Sequence, residues 1–150
     1  MYFEEFTVGQ VYTTDPYQLS KEEIIAFATN YDPQDMHINE EKAKNGLFKG
    51  LIASGIHTMA IATKLSIELG EIHQRAICGI GCDEIKFVQP VYASDVLTVH
   101  IEVTECTPHA VKNDRGLVTF SYVVKNQRGV VVLTYRLISL IQCDQSLINA

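Results

Sequence analysis

No stretch of the 150-residue chain is apolar for long enough to cross a bilayer as a helix. About 18 uncharged residues are needed, and the nearest candidate, Leu51 to Thr63, soon meets Lys64 and Glu68. No basic segment follows the first methionine, where Met1-Tyr2-Phe3-Glu4-Glu5 is acidic instead, so no secretory leader is expected. Positive charge is scarce: 12 Lys and Arg against 18 Asp and Glu give a formal net charge of −6 and a pI near 5.3. That balance supplies no bulk attraction to nucleic acid or to an anionic membrane surface. An anionic ligand must then be held by local donors. The four cysteines, Cys78, Cys82, Cys106 and Cys143, form no CxxC pair and have no histidine at finger spacing. They read as reduced, mostly buried thiols of a cytoplasmic protein, with no metal site expected. No internal repeat, low-complexity stretch or Pro/Gly/Ser-rich linker interrupts the chain, so residues 1–150 read as a single domain.

What is present is an ordinary globular composition, 47% apolar and 20% charged, patterned in two halves. Val11-Tyr12-Thr13 reads as a short extended segment. Ser20-Lys21-Glu22-Glu23 has the form of a capping box, in which the hydroxyl caps the helix and the carboxylate three residues on reaches back. The helix this opens must stop near Asp32, because Pro33 disfavours helix in the residue before it. Asn39 is placed to cap a second short helix ending at Asn45-Gly46. Leu51 to Leu69 reads as one long helix closed by Gly70, on the order of 30 Å in length. Its only charges, Lys64 and Glu68, share a narrow stripe with His57, so it is expected to be buried on most sides.

The second half supplies the cover. Val96 to Thr104 alternates, with Leu97, Val99, Ile101 and Val103 on one face. Leu117 to Lys125 and Val130 to Ile141 are rich in β-branched and aromatic residues, and polar, glycine-ended clusters between the segments predict antiparallel hairpins. Ala76 to Val88 reads as one or two further strands, interrupted near Gly79-x-Gly81, where another backbone is expected to approach closely. The fold class is α+β: an antiparallel sheet curved around one central helix.

Chemistry concentrates in Tyr31-Asp32-Pro33-Gln34-Asp35-Met36-His37, which brings carboxylates, an amide and an imidazole onto one proline-stiffened loop. A carboxylate and an imidazole can converge on one water, one as base and the other as acid or orienter. The same residues read equally as helix caps facing solvent. The run Lys49-Gly50-Leu51-Ile52-Ala53-Ser54-Gly55-Ile56-His57-Thr58 follows. A small residue at the start of a buried helix leaves free N–H groups at the positive end of the dipole, able to hold a developing oxyanion. Gly50 and Ser54-Gly55 also fit a plain turn and close packing.

Together, Asp-Pro-Gln-x-x-His and Gly-Leu-Ile-Ala-Ser-Gly-x-His-Thr resemble the MaoC-like dehydratases and (R)-specific enoyl-CoA hydratases of the hotdog fold. Phe87-Val88-Gln89-Pro90-Val91 and Ser94-Asp95-Val96-Leu97 resemble that family's next block, and the resemblance spans about Phe6 to Ile141. It implies a catalytic pair Asp32 and His37, a thioester-oxygen donor at the Gly50 N–H, and hydroxyls at Ser54 and Thr58 facing the loop. Gln34 and Gly55 stand as supporting residues. Asp35 departs from the family's usual proline and is expected to point outward. The implied reaction is reversible addition of water to the C2–C3 double bond of a 2-enoyl-CoA. It needs no cofactor beyond coenzyme A as part of the substrate, and the acyl group is carried on CoA or on acyl carrier protein. The alternatives are a hotdog thioesterase and a non-catalytic thioester-binding module.

Among the lysines flanking the loop, Lys42, Lys44 and Lys49 are candidates for CoA phosphates or plain surface residues. His57 is assigned a structural role, His100 a solvated one, and His73 and His109 none. Arg136 is expected to pair with a carboxylate or reach a phosphate. Uncovered sheet edges predict a homodimer with the site near its interface, and neither nucleic acid nor membrane is expected as a partner.

Overall fold

The structure is a computed structural model describing residues 1–148. After a 3-10 turn at Phe3–Glu5 come β1 (Val11–Thr13), β2 (Tyr17–Gln18), α1 (Lys21–Tyr31), α2 (Asp35–Ile38), α3 (Glu40–Asn45) and α4 (Gly55–Glu68). Then follow β3 (Ala76–Phe87), β4 (Val96–Pro108), β5 (Arg115–Lys125), β6 (Val131–Gln142) and the short helix α5 (Gln145–Ile148). The sheet is antiparallel, in the order β1-β4-β5-β6-β3, with β2 also pairing β4. Its inner face is built from the alternation seen in β4: Leu97, Val99, Ile101 and Val103 are all buried. On the same face Tyr122 of β5 stands opposite Tyr135 of β6, and their rings stack at 4.6 Å. Helix α4 packs on β4 and β6, which is the helix-in-curved-sheet arrangement the sequence implies.

The capping box at α1 is complete. The Glu23 N–H donates to Ser20 Oγ at 3.1 Å, and the Ser20 N–H donates to Glu23 Oε2 at 2.9 Å. The helix ends on Asp32 as its C-cap, one residue before Pro33. Asn39 caps α3 by accepting the Lys42 N–H at 3.0 Å.

Three expectations are corrected. The central helix begins at Gly55, not Leu51, and at 14 residues it is about 21 Å long. Residues 51–54 are extended because their backbone is engaged on both sides: Ile52 N–H donates to Met36 O at 3.1 Å and Ala53 N–H to Val91 O at 2.8 Å. The helix is also less enclosed than its composition suggests, since Ile56 and Ile67 are 57% and 54% exposed on the side away from the core. Finally, the glycines of β3 mark an irregular register and not a close backbone approach. An added Cβ at Gly79 or Gly81 would meet only side-chain atoms of Leu137 and Ile138, at 3.5 and 3.6 Å. Neighbouring residues on β6 face opposite sides of the sheet, so the extra residue between the two glycines has reversed the pleat.

Candidate active site

The loop between α1 and α2 holds the carboxylate of Asp32 with hydrogen bonds to both oxygens. Gln34 Nε2 donates to Oδ1 at 2.7 Å, and Ser54 Oγ donates to Oδ2 at 2.7 Å. The donors arrive from opposite directions, one from the loop itself and one from the residue before α4. These two bonds, with His37 nearby, hold the Asp32 carboxyl below the usual aspartate value despite partial desolvation.

His37 is 4% exposed on the single turn of α2. Its Nδ1 lies 2.7 Å from the carbonyl oxygen of Ile52. A carbonyl only accepts, so Nδ1 carries the proton and the lone pair of the neutral ring lies on Nε2. That Nε2 is 3.4 Å from Asp32 Oδ2. Two atoms able to accept a proton thereby lie side by side on the cavity lining. The Ile52 carbonyl is available because residues 51–54 are extended, so the segment the sequence read as helix is what fixes the imidazole.

The start of α4 completes the group. Ser54 is its N-cap, yet the serine hydroxyl makes no cap hydrogen bond because it is given to Asp32. The first intrahelical bond runs from Thr58 N–H to Ser54 O at 3.1 Å, so the N–H groups of Gly55 and Ile56 have no partner within the helix. The expectation that Gly50 stands at the start of the buried helix is therefore corrected. Gly50 precedes the extended segment, follows Lys49 in a left-handed conformation (φ +58°) and packs beside the ring of Tyr92. Gly55 is the glycine at the helix start. Thr58 is buried one turn later, its hydroxyl 3.5 Å from the Ser54 carbonyl and turned to its own helix instead of to the loop.

These residues open on a cavity of about 430 Å³. Asp32, Gln34, His37, Ser54, Gly55 and Thr58 line one wall, and Phe48, Ile52, Val91, Val132 and Leu133 are among the apolar side chains of the rest. Gly50 is outside this lining. Phe87 and Val88 stand at its exposed edge. Phe87 was legible only as part of the Phe-x-x-Pro-Val block, and no sequence signal marked Phe48, Val132 or Leu133 as cavity residues.

Comparison with known families decides the identity. The model of the MaoC-like domain matches residues 4–126. The chain belongs to the MaoC-like family. A protein of Bacillus subtilis (strain 168), YdeM, is 44% identical over 119 residues, 79% of this chain and 83% of that one. The crystal structure of the MaoC-like dehydratase from Rhodospirillum rubrum matches with a TM-score of 0.88 at 34% identity, covering 96% of this chain and 98% of that chain. The (R)-hydratase PhaJ1 from Pseudomonas aeruginosa shares the fold, with a TM-score of 0.73 at 24% identity over 96% of this chain and 86% of its own.

Around the MaoC-like site the remaining candidates fall away. Asp35 points outward, with Lys42 Nζ 2.9 Å from its Oδ2, so it adds no second charge to the cavity. Lys44 and Lys49 are exposed and line no part of the cavity. His57 is buried, but its ring stacks on Phe27 of α1 at 4.5 Å and not on the Lys64–Glu68 pair. Burial lowers its pKa, with Glu23 opposing. His100 meets Thr13 Oγ1 at 3.2 Å, His73 meets Ser66 Oγ at 3.1 Å, and His109 accepts two loop N–H groups. Arg136 lies on the other face of the sheet, 3.7 and 3.8 Å from carboxylate oxygens of Glu84 and Glu105. The four cysteines are free thiols, and Cys78 is exposed.

Proposed function

We propose that this MaoC-like protein is a hydratase/dehydratase of acyl thioesters, adding water reversibly to a 2-enoyl-CoA to give a (R)-3-hydroxyacyl-CoA. The observation that carries the reading is the 3.4 Å approach of Asp32 Oδ2 and His37 Nε2 in a cavity also lined by Gly55, whose N–H has no partner within α4. A water held by the pair gives up one proton as its oxygen bonds to C3. The pair returns one proton to C2 and ends in its starting state. Between the two events the electrons of the double bond reside on the thioester oxygen, where the Gly55 N–H, backed by the helix dipole, opposes the charge. Only protons and a hydroxyl group move, so the balance calls on no redox cofactor; coenzyme A enters as part of the substrate.

Among the described residues, Asp32 and His37 are the ionisable side chains that line the cavity, which suits an uncharged acyl chain. A thioesterase would need its base opposite the thioester carbonyl. The lining segment of α4, Gly55, Ile56 and Thr58, offers no carboxylate for that task. The test is to mix the protein with crotonyl-CoA, following loss of enoyl absorbance beside a thiol reagent. The expected result is absorbance loss without free thiol. Free thiol would identify a thioesterase, and neither signal across several acyl lengths would leave a binding module.

A further inference from the structure

We propose that Phe87 is a positioning residue of this site: its ring, seated on Gly55, presses the acyl end of the thioester against the start of α4. The proposal rests on the thioester reading above. It begins from the pleat of β3. Asp83 and Phe87 are four residues apart, so a regular strand would point both side chains to one face. Their partners on β6 are Arg136 and Leu133, only three residues apart and therefore on opposite faces. The extra residue between Asp83 and Lys86 turns Phe87 away from the Arg136 face and in beside Leu133, on the cavity wall. Glu84, within that irregularity, is held at φ +53°, a conformation costly for a residue with a side chain. The chain bears strain in order to re-aim this ring.

The ring ends on the backbone of Gly55. A Cβ added there would lie 2.4 Å from Phe87 Cε1 and 2.5 Å from Cδ1, so the ring occupies the space that any side chain at the helix start would need. Phe87 is itself one of the residues lining the cavity. An apolar ring on the wall of a substrate cavity is surface that an acyl chain can cover. Seated on Gly55, the ring shields the first N–H groups of α4 from water. It also forms an apolar stop for the carbons next to the thioester.

The experiment is calorimetric titration with butyryl-CoA, a saturated thioester that cannot be hydrated. Wild type, Phe87→Ala and Phe87→Leu are compared, with KM and kcat for crotonyl-CoA measured alongside. The expected result is a tenfold or greater rise in Kd for Phe87→Ala, a parallel rise in KM, a smaller change in kcat, and a Kd within threefold of wild type for Phe87→Leu. Plain structural damage would lower the active fraction, and so kcat, while leaving Kd and KM in place. Phe87→Gln, similar in length but without a ring, serves should the alanine variant not fold. An unchanged Kd in the ringless variant overturns the proposal alone, and so does a raised Kd that comes with a fall in mass by light scattering, because the loss of a covering copy then explains it. Failure of the wild type to bind butyryl-CoA overturns the thioester reading and the proposal with it.

Discussion

The protonation of Asp32 is set by its neighbours, and the activity should inherit that setting. Its carboxyl is lowered by the Gln34 and Ser54 hydrogen bonds, so the ionised form needed to accept a proton persists into acid. A carboxyl lowered in the folded state contributes stability that is present above its unfolded pKa and lost as the pH falls through the folded one. Ser54→Ala removes one donor. It should move the acid limb of kcat/KM to higher pH and make the protein less resistant to acid, as read from a pH–rate profile and from unfolding followed by circular dichroism. Asp32→Asn and His37→Ala should each lower hydration of crotonyl-CoA by about 10²-fold or more while leaving the far-ultraviolet spectrum unchanged. Activity near wild type in either variant would refute the assigned roles. That Asp32 and His37 come together was legible because both stand on one short, proline-stiffened loop. The Ser54 bond to Asp32 was legible only as a direction, since a cap residue's hydroxyl is expected on its own helix, and here it is diverted to the carboxylate.

Helix α1 delivers Asp32 from its far end, so its two termini can be separated experimentally. Ser20→Ala breaks the capping box at the start of α1, 12 residues before the site. The expected cost is about 1 kcal/mol, or a fall of a few degrees in Tm for a chain of this size, with kcat/KM at 25 °C unchanged. A large loss of activity in a folded Ser20→Ala protein would show that the helix transmits its frayed end to Asp32. Elements of this kind, helices with caps and strands with clean alternation, were legible in the sequence because each signal is local. The start of α4 was not. Leu51-Ile52-Ala53 suits a helix as well as an extended segment, and the choice was made by distant partners, Met36 and Val91. The serine-glycine pair at Ser54-Gly55 was the available signal, a favoured cap type followed by a residue that tolerates close approach. Taking it would have moved the expected helix start, and with it the proposed oxyanion donor, to Gly55. The interruption of β3 near Gly79-x-Gly81 was legible, but its later register shift was hidden, since nothing in Asp83-Glu84-Ile85-Lys86 announces an extra residue.

At the scale of the molecule, seven of the exposed large apolar side chains among the described residues belong to the edge strand β3, the segment just after it, and α4. Ile77, Ile80, Ile85, Phe87 and Val88 lie along or just beyond β3, the sheet's edge strand, while Ile56 and Ile67 are exposed on α4, all at 40–59% exposure. An apolar edge with unpaired backbone groups is an association surface unless it is guarded, and β3 carries its own charges only at Asp83, Glu84 and Lys86. Three of these residues, Ile56, Phe87 and Val88, also border the cavity, so a second copy placed here would cover apolar surface and close the mouth of the site in one step. We therefore expect a homodimer of about 34 kDa, twice the 16.8 kDa of the chain, measured by size-exclusion chromatography with light scattering. Ile80→Glu, which puts a charge in the middle of that edge and lies outside the cavity lining, should shift the mass toward the single chain. It should also raise KM for crotonyl-CoA, because the mouth of the site loses its cover. A wild type that elutes as a single chain would remove the dimer. A monomeric Ile80→Glu protein with unaltered KM would show that assembly and catalysis are independent, leaving each cavity sufficient within its own chain.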